Sequence, residues 1–220
     1  MMKKYKTIRE WSQKNPMTRN PHRELVHMCV IDDEGFSKDE LNALKYENVR
    51  VFEKFTDLND YASYNVILCD IKGVGQNIDP QLDGVAVARD IKKYYPEKIV
   101  LQYSGQSVND YDEKFYENME IDGFVEKSQS SKQLVDELDK YCSVFWDPVA
   151  AWKYIEKNLR KMNIENINIA FFEDLYVRSL EKKKNLIDRN RDNEAIKNIF
   201  TIGMAFAQLA ISIIELVAKH

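Results

Sequence analysis

A chain of 220 residues with 44% hydrophobic content can bury one substantial core and a smaller appendage. Its formal charge of -4 excludes a broadly basic surface for nucleic acid or acidic lipid. The cysteines Cys29, Cys69 and Cys142 have no spacing that suggests a zinc site or a disulfide framework, so a reduced, cytoplasmic setting is expected.

Residues 1–25 are basic without an apolar stretch, which excludes a secretory signal; they read as an N-terminal arm, helical around Tyr5–Trp11. From residue 26 to 141 strand and helix signals alternate. The apolar run 27–31 ends in Asp32-Asp33, and Ser37 with Glu40 forms a capping box that opens a short helix. Residues 49–55 alternate as a strand does, and 56–64 read as a helix. "VILCD" (66–70) is the continuous apolar run of a strand covered on both faces. A helix follows over 83–96, closed by Pro96, then a buried strand (98–105), a polar helix (107–119), a short strand (122–127) and a helix (130–146). Such alternation predicts an α/β fold, a five-stranded parallel doubly wound sheet of flavodoxin-like type.

In such a sheet, function sits at the carboxyl ends of the strands. Those ends carry Asp32 and Asp33, Asp70, Ser104 and Lys127. Clustered carboxylates repel unless a cation shares them, and an all-oxygen set without His or Cys suits a hard ion such as Mg²⁺. A lysine alongside can pair with a carboxylate or with an anion formed on it.

This pattern resembles the receiver domain of two-component response regulators, over residues 26–141. The resemblance rests on Ile31-Asp32-Asp33-Glu34, "VILCD", Asp83-Gly84 opening the third helix, "YSG" at the fourth strand and "GFVEK" at the fifth, all in order. It implies that Asp70 accepts a phosphoryl group from a histidine kinase, a phosphotransfer protein or a small donor. It implies that Asp32, Asp33, Asp70 and the backbone carbonyl of Lys72 hold Mg²⁺, that Ser104 and Lys127 stabilise the phosphoryl group, and that Phe124 is the switch aromatic. The protein would then be a signalling switch rather than an enzyme. The sequence departs from the family in its 71–82 loop, about six residues longer than usual and with Gly73-Val74-Gly75 in place of the family's proline. Ser128 also stands where proline is common, and the helix after the first strand looks short.

Residues 142–220 read as an all-α region. Asp147-Pro148 is a cap followed by proline, and Val149, Trp152, Ile155, Leu159 and Met162 mark one helix face. A second helix contains Ile169, Phe172, Tyr176 and Leu180, and residues 181–193 form a charged, solvated connection. Basic and acidic residues are nearly balanced here and no recognition-helix pattern is present, so nucleic acid is not the expected partner. Residues 193–220 read as one long apolar helix. Its stretch from Ile199 to Ala218 could span a bilayer by length, but Thr201, Gln208, Ser212, Glu215 and Lys219 form a polar stripe that a bilayer does not need. A bundle core fits better than a membrane, either within the chain or as a homodimer through these helices. Two readings follow: a phosphorelay response regulator that switches a helical output, or a phosphorylation-independent adaptor that keeps the receiver fold and assembles through its tail.

Overall fold

The apolar run Val66–Asp70 is buried at every position, as the centre of a parallel sheet requires. The computed structural model describes residues 5–16, 20–35, 45–105, 120–127 and 130–219. Among these, strands β1 (His27–Ile31), β2 (Asn48–Phe52), β3 (Val66–Asp70), β4 (Ile99–Ser104) and β5 (Gly123–Glu126) lie in the order β2-β1-β3-β4-β5. All neighbours are parallel. This is the expected flavodoxin-like α/β sheet. The order in which strands are added reverses between β1 and β3, which places the switch point between Asp32 and Asp70. Helices α2 (Gly84–Tyr94) and α3 (Ser131–Cys142) follow β3 and β5.

Valine, isoleucine and cysteine side chains fill the space between the sheet and α2. Cys29, Ile31, Ile67, Cys69 and Val100 pack with Val87, Ala88 and Ile91. The strand expected over 49–55 stops at Phe52, and the helix expected over 56–64 shrinks to the single 3-10 turn Leu58–Tyr61. Local side-chain bonds outcompete the helix there: Asp57 accepts the Asn59 amide at 2.9 Å, and the buried Tyr61 hydroxyl accepts the Thr56 amide at 3.1 Å. The capping-box helix at Ser37, the helix at 107–119 and Ser128 lie outside the described residues.

The chain divides into two compact units: residues 22–142, which hold the sheet, and a second unit built from 1–21 and 143–220. The second is helical, with α1 (Ile8–Lys14), α4 (Pro148–Lys161), α5 (Asn166–Lys182), α6 (Glu194–Ile202) and α7 (Met204–Lys219). The cap at Asp147 is made as its sequence implies, its Oδ1 accepting the Val149 amide at 2.7 Å. Trp152 is the centre of the core, 5.4 Å from the Tyr176 ring and 5.8 Å from Phe172. Within the segment expected as an arm, α1 packs against α4 and α5. The Lys6 and Ile8 amides donate to Asp174 at 2.9 Å and to Glu173 at 2.8 Å, and Trp11 is buried.

Two expectations for this region are corrected. The 181–193 connection is anchored rather than simply solvated: Ile187 is fully buried and the Leu186 amide donates to Ser179 Oγ at 3.0 Å. The long helix over 193–220 is two helices, α6 and α7, bent by 109° at Gly203. A side chain at 203 would meet Leu159 Cδ2 at 2.7 Å, so the glycine lets the corner sit directly on α4. Beyond it, Phe206, Ala207, Ala210, Ile213 and Ile214 are buried, while Gln208, Ser212, Glu215 and Lys219 are exposed. The apolar face is thus taken up within the chain, against α4 and α5. No single helix among the described residues is long and apolar enough to cross a membrane, although the bent pair passes that test together.

Because Trp152 has no room to be replaced by water, Trp152→Ala is expected to cost about 3–5 kcal/mol. Urea unfolding followed by circular dichroism would read this as a lower midpoint, with Trp152→Phe losing less.

Candidate functional site

Three strands that are far apart in sequence deliver one charge cluster. Asp32 follows the last residue of β1, Asp70 ends β3 and Lys127 follows β5. Lys127 Nζ lies 2.7 Å from Asp32 Oδ2 and 2.6 Å from Asp70 Oδ2, bridging the two carboxylates. Both aspartates are buried, whereas Asp33 is exposed. One ligand oxygen from each of Asp32, Asp33 and Asp70 falls within 4.8 Å of the others.

The supporting geometry is made of backbone. Asp32 is fixed by its amide on the Phe52 carbonyl at 2.9 Å, and its Oδ1 accepts the Glu34 amide at 3.0 Å. Lys127 is held by its own amide on the Ser104 carbonyl at 2.7 Å, while its ammonium stands 5.2 Å from the Tyr103 ring centre. The Lys72 amide reaches Asp70 Oδ1 at 3.4 Å. At the entry of α2, the Gly84 amide donates to the Ile71 carbonyl at 3.0 Å, and a Cβ on Gly84 would strike the Asp70 carbonyl oxygen at 1.7 Å. Only a glycine lets the helix start so close to the carboxylate-bearing strand end.

Burial pushes the Asp70 carboxyl above the usual aspartate range; the hydrogen bond and charge of Lys127 oppose the rise and the Asp32 charge adds to it. Burial alone would lower the Lys127 ammonium, but the hydrogen bonds and charges of Asp32 and Asp70 outweigh it and raise it. The lysine therefore stays charged between two carboxylates, one of which is held in an unfavourable setting.

The structure brings Asp32, Asp33, Asp70 and Lys127 together. Ser104 is buried at the same rim, one residue past Tyr103, the register partner of Asp70. Phe124 is half-buried against the apolar cluster of Ile71 and Val85, alongside Leu82. The sequence reading missed the contribution of Asp83. Asp83 does open α2, as the sequence implies, but its side chain caps no amide of the helix and turns back into the loop. Tyr103 beneath Lys127 was missed as well, since an aromatic in a buried strand carries no signal of its own.

No protein-family model matches the sequence, and no curated protein does. Among solved structures, the response regulator DrrB of Thermotoga maritima, an OmpR/PhoB homolog, is 23% identical with a TM-score of 0.40, over 52% of this chain and 51% of its own. A CheY-like response regulator receiver domain protein from Methanospirillum hungatei is 17% identical with a TM-score of 0.40, over 53% of this chain and 92% of its own. NtrX from Brucella abortus is 16% identical with a TM-score of 0.43, over 76% of this chain and 34% of its own. The chain is similar to response regulator receiver domains. The rim of the sheet unit is where the three carboxylates and Lys127 converge.

With a folded-state pKa above that of the unfolded chain, the charged Asp70 carboxylate destabilises the fold at neutral pH. That penalty disappears as the pH falls through the raised pKa towards the usual aspartate value. Asp70→Asn is accordingly expected to melt higher than the parent chain in EDTA at pH 7.5, with the difference closing near pH 4, about the ordinary aspartate pKa. Thermal unfolding across that range measures it.

Proposed function

We propose that the sheet unit is a phospho-accepting receiver whose state controls the helical unit. The observation that carries this reading is the bridge of Lys127 Nζ across Asp32 and Asp70, with Asp33 within reach of both.

The donor set fits a hard divalent cation: three carboxylates, all oxygen, with one ligand atom each inside a small radius. Asp32, Asp33, Asp70 and the Lys72 carbonyl would hold Mg²⁺, which when bound offsets the negative charge that gathers on a transferring phosphoryl group. Asp70 supplies the nucleophilic oxygen. Its bond to phosphorus forms as the bond from phosphorus to the donor breaks, whether that donor is a phosphohistidine nitrogen or the carboxyl oxygen of acetyl phosphate. Lys127, already tied to the acceptor, then pairs with the new phosphoryl oxygens, and the Ser104 hydroxyl donates to them. Phe124 reports the change to the packing around Ile71 and Val85, the element such a switch needs.

The partner this implies is a histidine kinase or a phosphotransfer protein, and the setting is cytoplasmic. The output is the helical unit, which the chain joins to the sheet unit at two points, between residues 21 and 22 and between 142 and 143. Its nearly balanced charge argues for a protein rather than a nucleic acid as its target.

Incubation with acetyl phosphate and Mg²⁺ is expected to add one phosphoryl group to the intact mass of the parent chain. Asp70→Asn and EDTA should each abolish the gain. Label retained by Asp70→Asn would sink the assignment of the acceptor, and an unlabelled parent chain would favour the adaptor reading. Lys127→Ala should take up label without the shift in size-exclusion elution that the parent chain undergoes.

A further inference from the structure

We infer that Asp83 is a positioning residue that sets the Lys72 carbonyl and the Asp33 carboxylate in the metal-binding geometry, an inference that rests on the receiver reading above. Asp83 lies at the far end of the long loop from Asp70. Its two carboxylate oxygens accept two amides: Oδ2 takes the Gly73 N–H at 2.7 Å and Oδ1 takes the Gly75 N–H at 2.6 Å. Both distances are those of charge-assisted bonds.

The first bond has a consequence one atom away. The peptide that carries the Gly73 N–H is planar and trans, so the Lys72 carbonyl points opposite to it. Holding the N–H on Asp83 therefore fixes the direction of the carbonyl expected to face the cation. The same residue adjusts Asp33. Gly73 has a φ of +84°, and a Cβ built on it would fall 2.1 Å from Asp33 Oδ2. The Asp33 carboxylate thus rests directly on the Gly73 backbone, at a position whose positive φ favours glycine. Fixing Gly73 fixes what Asp33 leans on.

The rest of the loop is arranged to make the clamp stiff. Val74, between the two clamped amides, is fully buried, and its carbonyl accepts the Phe55 amide at 3.1 Å. Asp83 itself is held by its amide on the Asp79 carbonyl at 2.7 Å, with φ 46° and ψ -124°. A non-glycine residue tolerates such a conformation only where its surroundings impose it. The strain is located on the residue that makes the clamp. The extra length of the loop, with two glycines where the related domains have a proline, is what allows one carboxylate to reach both amides.

The test uses the full chain in two measurements. Titration calorimetry with MgCl₂ compares the parent with Asp83→Gly, Asp83→Asn and Asp90→Ala. Amide hydrogen exchange at Gly73 and Gly75 is followed in EDTA. Asp83→Gly relieves the positive φ and so keeps the backbone while removing the clamp. It should weaken Mg²⁺ about tenfold or more, the usual loss when a residue orienting metal ligands is removed, and speed exchange at both glycines. Asp83→Asn keeps one oxygen and should fall between. Asp90→Ala removes a carboxylate of α2 that lies 3.8 Å from Arg89 Nε and takes no part in the clamp, and should stay within about twofold of the parent in Mg²⁺ affinity. Faster exchange in Asp83→Gly with parental Mg²⁺ affinity would overturn the positioning role. Unchanged exchange would overturn the clamp itself. A parent chain that takes up no Mg²⁺ would instead overturn the receiver reading, and the exchange rates would still decide the clamp.

Discussion

Everything at the rim of the sheet depends on one ammonium between two carboxylates. Asp32 and Asp70 are both nearly inaccessible, and without Lys127 they would face one another as like charges in a setting of reduced dielectric. Removing Lys127 would leave both carboxylates buried and unpaired, whereas neutralising Asp70 leaves Lys127 paired with Asp32. The lysine is therefore what lets the two carboxylates stand together at the rim. Its placement also explains why three separated strand ends must coincide: β1 and β3 are neighbours at the reversal of the sheet, and β5 reaches them only across β4. A long, unbranched side chain is what spans that intervening strand. Tyr103 of β4 lies beneath it and receives the cation on its ring.

The backbone around this charge set is as specific as the side chains. Gly84 lets α2 begin against the Asp70 carbonyl, Gly73 lets the loop rest on Asp33, and Asp83 ties the loop back on itself. Each glycine sits where a Cβ would collide with an atom of the acidic cluster or its strand. The loop after β3 is thus part of the site wall rather than an appendage to it, and Val74 anchors that wall in the main core.

Much of this could be read in the sequence, and the parts that could not have a common cause. Strands β3 and β4 are short continuous apolar runs, and that pattern belongs to a buried parallel strand whatever surrounds it. Asp32, Asp70, Ser104 and Lys127 were legible because each ends such a run, where topology alone brings them together. Asp83 was not. Its partners are backbone amides, which leave no trace in the residue types, and an aspartate before a glycine reads equally well as a helix cap. The same reason accounts for residues 56–64, where the composition of a helix was overridden by the hydroxyl of a buried tyrosine. In the second unit the apolar periodicity of α4 and α5 was plain, but the corner at Gly203 was not. A lone glycine in an apolar run lowers helix propensity by only about 1 kcal/mol, and the contact that makes it a corner, with Leu159, is remote in sequence.

The helical unit is stitched together by segments from both sides of the sheet unit. The amides of Lys6 and Ile8 are satisfied by Asp174 and Glu173 on α5, and burial raises the Glu173 carboxyl against the pull of the Ile8 amide. Residues 22–142 are in consequence an insertion in a helical unit that closes around its own two segments. An inserted unit has two covalent connections to its host rather than one. A rearrangement in it that alters the separation of residues 22 and 142 must be met by the host, either by yielding at both crossings or by straining its own core. Trp152, Phe172 and Tyr176 are close-packed in the core of that host. A close-packed aromatic core responds to strain by changing between discrete arrangements rather than by gradual deformation.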